Sequence, residues 1–169
     1  MGTKVTKPAL SQLKGRNNLI GAEIGVASGI HAACFLLELD INMVYLIDPY
    51  IAYKDEHKMV GLERAKEMEN NAYIKLDRYK HKIKWIKEKS VDAARFIDDN
   101  SLDFVYIDGN HTYKSVAEDI LLYFPKVKKG GLFSGHDYCF RVVRRAVDEF
   151  INKQGLKLHI ISHDWWVWK

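Results

Sequence analysis

Cysteine is nearly absent from this chain: Cys34 and Cys139 are the only two, far apart in sequence. Two distant thiols exclude a disulfide framework and point to a reducing, cytoplasmic setting. Long apolar runs are missing as well. No stretch reaches the roughly 18 residues that a membrane span requires, and the opening MGTKVTKPALSQ has no apolar segment of secretory type. That opening does fit the loose pattern Met-Gly-x-x-x-Thr for N-myristoylation, although an exposed polar start is the simpler reading. An excess of one charge is lacking too, since 26 Lys and Arg against 22 Asp and Glu leave +4. So mild a balance permits an anionic ligand without demanding nucleic acid. Repeats, low-complexity stretches and linkers are also absent. With 169 residues, 47% apolar and 28% charged, the chain is one ordinary globular domain rather than a fibre or a disordered tail.

What is present is alternation. Short apolar runs are separated by longer helix-forming stretches, the pattern of a parallel α/β sheet. Residues 19–25, 43–48, 82–87, 102–108 and 132–135 read as five strands. Residues 30–39, 56–79, 91–97, 113–124 and 140–151 read as helices, with Ser90 as the cap of the third. Two final runs, 156–162 and 165–168, lie too close together for an intervening helix, so an antiparallel hairpin is expected. In Trp165-Trp166-Val167-Trp168 both side-chain parities are apolar, as in a strand buried on both faces. Residues 1–18 precede the first strand as an extension, and residues 19–169 form the domain.

Open α/β sheets bind ligands at the carboxyl ends of their strands. Those ends carry Glu23-Ile24-Gly25-Val26-Ala27-Ser28-Gly29, then Asp48, Ser90-Val91, Asp108-Gly109-Asn110-His111, and His136-Asp137-Tyr138. Nearly all the polar groups of these apolar strands therefore share one rim. Gly25 and Gly29 permit a tight turn and close ligand approach. Asp48 follows 19 residues after Gly29, near the offset of about 20 at which an acid meets ribose hydroxyls. Glu23 separates the candidate cofactors. A carboxylate at the first turn opposes a pyrophosphate but suits an ammonium or sulfonium group. S-adenosylmethionine has both, with a ribose diol and no phosphate. Ala27 also stands where the dinucleotide fingerprint has its middle glycine.

These residues together resemble a class I S-adenosylmethionine-dependent methyltransferase from about residue 19 to the end. Asp108-Gly109-Asn110-His111-Thr112-Tyr113, Gly130-Gly131 and His136-Asp137-Tyr138 resemble the small-molecule group labelled type 24. The resemblance implies a Rossmann-like, doubly wound seven-stranded sheet with a terminal antiparallel β-hairpin and helices on both faces. It implies that Glu23, Gly25, Ala27, Ser28 and Gly29 meet the methionine part. Asp48 would hold the ribose, Ser90 and Val91 the adenine edge, and Asp108 the transfer end. Asp108 and Asp137 also resemble the metal acids of catechol-type, oxygen-directed enzymes, which use Mg2+ or another divalent cation. There an Asn commonly follows the second acid; here Tyr138 does. Two chemistries thus stay open for deprotonating an acceptor hydroxyl. One is a metal on Asp108 and Asp137, and the other is His111 or His136 as a base beside Asp108.

The expected partner is a small-molecule acceptor. The basic stretch from Lys75 to Lys89, with Tyr79 and Trp85 interleaved, could suit RNA, but it reads first as a solvated helix end and an edge strand. No membrane partner is expected. The domain leaves no room for a lid, so either the acceptor is small or a homodimer closes the site. The alternatives are a non-catalytic nucleoside-binding or assembly protein, an RNA-directed methyltransferase and an NAD-binding oxidoreductase.

Overall fold

The computed structural model describes residues 7–54 and 59–169. Its strands are β1 (Leu19–Ile24), β2 (Ile41–Ile47), β3 (Tyr53–Lys54), β4 (Met59–Val60), β5 (Ile83–Ile86), β6 (Leu102–Ile107), β7 (Val127–Gly135), β8 (His159–Ile161) and β9 (Asp164–Trp168). Seven of them form one sheet in the order β5-β2-β1-β6-β7-β9-β8. The first five in that order run parallel, and β9 is antiparallel to both β7 and β8. The reversed terminal hairpin is therefore present. The strand order switches direction beside β1, so the carboxyl ends of β1, β2 and β6 open a crevice there.

The helices are α1 (Pro8–Ser11), α2 (Ile30–Glu38), α3 (Leu62–Leu76), α4 (Ser90–Ala93), α5 (Tyr113–Tyr123) and α6 (Arg141–Gln154). Alternation along the strands sorts them into two layers. In β6, Phe104 and Tyr106 pack with α1, α2 and α3, while Val105 and Ile107 pack with α4, α5 and α6. β9 does the same, with Trp166 on the first side and Trp165 and Val167 on the second. These residues are buried, and each fully buried Val, Ile or Phe contributes about 1.5–3 kcal/mol. The apolar parity of the tryptophan strand is thus core packing.

Four local expectations change. Residues before Leu62 do not join α3; β3 and β4 instead pair as a short antiparallel ladder, and residues 55–58 lie outside the described segments. Ser90 is not the cap of its helix. Lys89 holds that position without a side-chain cap, and a 3-10 turn at Ala94–Phe96 replaces the rest of the expected helix. β7 starts at Val127, so Gly130 and Gly131 lie within it. In the segment before β1, Ala9, Leu10 and Leu13 are fully buried in the core rather than lying outside it. The residues of the myristoylation pattern lie outside the described segments. Among the described residues no helix is long and apolar enough to cross a membrane.

Candidate active site

The turn after β1 is built by its glycines and by one acid. Gly25 has φ +87°, and a Cβ there would sit 2.2 Å from the Asp108 carbonyl oxygen, so only glycine fits. Ala27 also adopts a left-handed backbone, φ 48°, which is strained for a residue with a Cβ. Asp48, directly after β2, holds that shape. Its Oδ2 accepts the Val26 and Ala27 N–H groups at 3.0 Å each, and its Oδ1 accepts that of Tyr50 at 2.9 Å. The Tyr50 hydroxyl donates to the Ala27 carbonyl at 3.1 Å, and Lys75 Nζ to that of Ser28 at 2.8 Å. Burial pushes the Asp48 carboxyl up, against the three N–H groups that favour its anion.

A cavity of about 580 Å³ opens over this turn, a size typical for a small-molecule ligand. Gly25, Ala27, Asp48, Ser90, Val91 and Asp108 line it, together with Pro49, Ile51 and Asp119. Glu23, Ser28 and Gly29 are not among the residues that line it. Glu23 is 1% exposed and turns toward α2, where its Oε1 meets His31 Nδ1 at 2.7 Å. Its Oε2 has no partner. Burial raises the Glu23 carboxyl, partly offset by His31.

Of the acid–histidine rim, Asp108 lines the cavity, whereas His111, His136 and Asp137 are not among its lining residues. Asp108 N donates to the Ile24 carbonyl at 2.7 Å and His136 N to that of Ile107 at 2.9 Å, which carries the pairing of β1, β6 and β7 one residue past their ends. The loop after Asp108 is fixed by Asn110 Oδ1, which accepts the Thr112 N–H at 3.0 Å. Thr112 then caps α5 by accepting the Ser115 N–H. In this frame His111 Nε2 lies 2.8 Å from Asp137 Oδ2 and 3.9 Å from Asp108 Oδ1. His136 Nδ1 lies 3.0 Å from Asp137 Oδ1 and 4.0 Å from Asp108 Oδ1. One ligand atom each from Asp108, His111 and Asp137 falls within 4.8 Å of the other two. Burial alone would raise the Asp137 carboxyl, but the hydrogen bonds from both histidines hold it far below the usual range. Asp108 is likewise lowered, because His111 and Lys7 outweigh burial.

Sequence reasoning missed three of the residues around this site. Lys7 Nζ sits 2.7 Å from Asp108 Oδ2. Asp164, 1% exposed, accepts the Ala9 N–H and the Tyr106 hydroxyl, both at 2.8 Å, and so fastens α1 beside the rim. Asp119 is 2% exposed, on α5. A signal for it was available: Val116, Asp119, Ile120 and Tyr123 are the four buried residues of α5, at the i, i+3, i+4 and i+7 spacing of one helix face. An acid in such a stripe is out of place unless it has a task.

The fold and the rim define a methyltransferase domain, and the family model described as "Methyltransferase domain" matches residues 22–138. The chain belongs to that family. A curated relative, uncharacterized protein R132 of Acanthamoeba polyphaga mimivirus, is 30% identical over 128 residues. That match covers 73% of this chain and 53% of the relative, so the chain spans about half the relative's length. Solved structures share the fold. The O-methyltransferase NovP has a TM-score of 0.71 at 20% identity, covering 95% of this chain and 76% of that one. A candidate caffeoyl-CoA O-methyltransferase from Staphylococcus aureus has a TM-score of 0.67 at 18% identity, covering 98% and 85%. The calicheamicin methyltransferase CalS11 has a TM-score of 0.69 at 11% identity, covering 95% and 76%.

Proposed function

We propose that the protein transfers the methyl group of S-adenosylmethionine to a hydroxyl oxygen of a small molecule. The observation that carries the reading is the occupancy of the first turn. Asp48 already takes the Val26 and Ala27 amides, the donors a pyrophosphate would need. A dinucleotide loses its anchor there, while a ligand with a ribose and no phosphate keeps the cavity wall. A carboxylate oxygen has two lone pairs, so Asp48 can still accept from a ribose hydroxyl. Asp108 stands at the far end, paired with Lys7.

Transfer is an in-line displacement. The acceptor oxygen forms a bond to the methyl carbon, the carbon–sulfur bond breaks with its electron pair going to sulfur, and neutral S-adenosylhomocysteine departs. The hydroxyl proton must go to a base. His136 is the more open of the two rim imidazoles, 24% against 9% for His111. With Asp137 ionised, His136 Nδ1–H donates to Oδ1, and Nε2, which lies 3.8 Å from Asp164 Oδ1, takes the proton, the arrangement of an acid that orients a histidine base.

The donor set of the rim fits a divalent ion. Two carboxylates and one imidazole suit Mg2+ or Mn2+, so Asp108, His111 and Asp137 would hold the ion. Bound there, it would acidify an acceptor hydroxyl. Lys7 already neutralises Asp108, which favours the histidine route. The deciding assay is methyl transfer in chelator, followed by added Mg2+ or Mn2+. Unchanged transfer in chelator, with loss in His136→Ala, is expected. Loss in chelator with recovery on metal addition would overturn the histidine route in favour of metal.

The small-molecule reading is supported by the basic stretch. Lys75 is engaged with Ser28, Lys80 with Asp77 and Lys87 with Glu69. Trp85 packs on Tyr73. Three of the seven Lys and Arg from Lys75 to Lys89 are thus held by partners within the chain.

A further inference from the structure

The carboxyl end of α5 gathers oxygens around a single cation. A helix carboxyl end leaves carbonyls unpaired and carries partial negative charge, so it favours a basic side chain. The last turn of α5 has none, and Pro125, just beyond it, has no N–H to donate. Lys169, directly after β9, supplies the cation from 45 positions away. Its Nζ donates to the carbonyls of Val127 at 2.8 Å, Pro125 at 3.0 Å and Phe124 at 3.2 Å, and to Asn100 Oδ1 at 3.4 Å. The ammonium also lies over the Phe124 ring, 5.1 Å from its centre. Withdrawal from water pulls the Lys169 amine below its ordinary range, partly offset by Asp99.

The pairing of β6 with β7 is interrupted between Leu102–Val127 and Phe104–Leu132. Lys169 spans that gap. Its N–H donates to the Gly131 carbonyl at 3.0 Å, its main-chain oxygen accepts the Gly130 N–H at 2.6 Å, and its ammonium reaches Val127. Because β9 is antiparallel to β7, this is the end of β9 away from Asp164 and the rim.

We propose that the carbonyls of Phe124, Pro125 and Val127, with Asn100, form a receptor for a primary ammonium ion, filled from within the chain by Lys169, and that this latch fixes the far end of β9. Main-chain carbonyls replace the hydration of a monovalent cation in the same way in ion-selective filters. An ammonium carries three N–H donors on one centre and so suits oxygens that converge on a point. A guanidinium spreads its donors in a plane, and a quaternary ammonium has no N–H to give. The class recognised is therefore a primary ammonium on an alkyl stem. The latch is independent of the adenosyl ligand proposed above.

The test is thermal melting of the full chain, wild type and Lys169→Ala, in n-propylammonium chloride or in tetramethylammonium chloride at equal concentration. n-Propylammonium replaces the atoms that the substitution removes. In tetramethylammonium the variant is expected to melt about 4–10 °C below wild type, the scale for losing the hydrogen bonds of one charged group in a chain of this size. n-Propylammonium at roughly 0.1 M is expected to restore about 3 °C or more in the variant and to leave wild type unchanged. A variant that melts with wild type, one that responds equally to both salts, or a wild type that gains as much as the variant overturns the receptor. If Lys169→Ala does not fold, NMR of lysine-labelled wild type decides. The Lys169 ammonium protons are then expected to exchange with water about tenfold or more slowly than those of the exposed Lys153, and exchange at the Lys153 rate overturns the latch.

Discussion

At the scale of single residues, two side chains are held in states that other residues would avoid. Asp119 keeps its proton in the folded chain up to about pH 7, whereas an unfolded Asp releases it near 4. The folded pKa is raised, so the stabilisation is fully present below about pH 4 and is lost as pH rises through 7. Asp119→Asn has no such proton. Urea unfolding of both proteins from pH 4 to pH 8 is therefore expected to show wild type losing about 4 kcal/mol relative to the variant. Parallel pH profiles would contradict the burial of a protonated carboxyl. Ala27 is the second case. Its positive φ costs a residue with a Cβ about 1 kcal/mol, so Ala27→Gly is expected to raise stability by about 0.5–1 kcal/mol. A decrease in thermal midpoint would mean that the turn is not strained. The departure at Ala27 was legible in the sequence, but its strain was not, because φ is set by Asp48 from the next strand.

At the scale of elements, the site depends on how the segment before β1 is pinned. Lys7 and Asp108 are 101 positions apart, and no local pattern relates them. The strand ends, by contrast, were readable, because apolar runs such as residues 102–107 stop at an acid and the sheet aligns such stops along one rim. Within that rim, which imidazole meets which carboxylate depended on the loop around Asn110 and on α1. The start of α3 was obscured for a similar reason: good helix formers precede Leu62, but Met59 and Val60 pair with Tyr53 and Lys54 instead. Asp164 is the clip that holds α1. Asp164→Ala removes the acceptor of two buried hydrogen bonds and is expected to destabilise by about 2–4 kcal/mol, measured by urea unfolding. A loss below about 0.5 kcal/mol would show that α1 is held by packing alone. Lys7→Ala leaves Asp108 without its cation, and Mn2+ affinity measured by calorimetry is expected to rise about tenfold or more. Unchanged or weaker Mn2+ binding would show that Lys7 does not compete for that site.

At the scale of the whole molecule, the seven-stranded order and its reversed hairpin bring three strand ends and two loops around one cavity. Much of that frame followed from the alternation of apolar runs and helix formers, since five parallel strands and a hairpin leave few topologies. The assignment of ligand to cavity turns on Asp48, which takes the Val26 and Ala27 amides and lines the cavity. The most direct measurement is isothermal calorimetry of the full chain with S-adenosylhomocysteine and with NAD, under identical buffer and salt. Micromolar-class binding of S-adenosylhomocysteine and no detectable binding of NAD are expected, with the former weakened about tenfold or more in Asp48→Ala. Tight binding of NAD with none of S-adenosylhomocysteine would contradict the account.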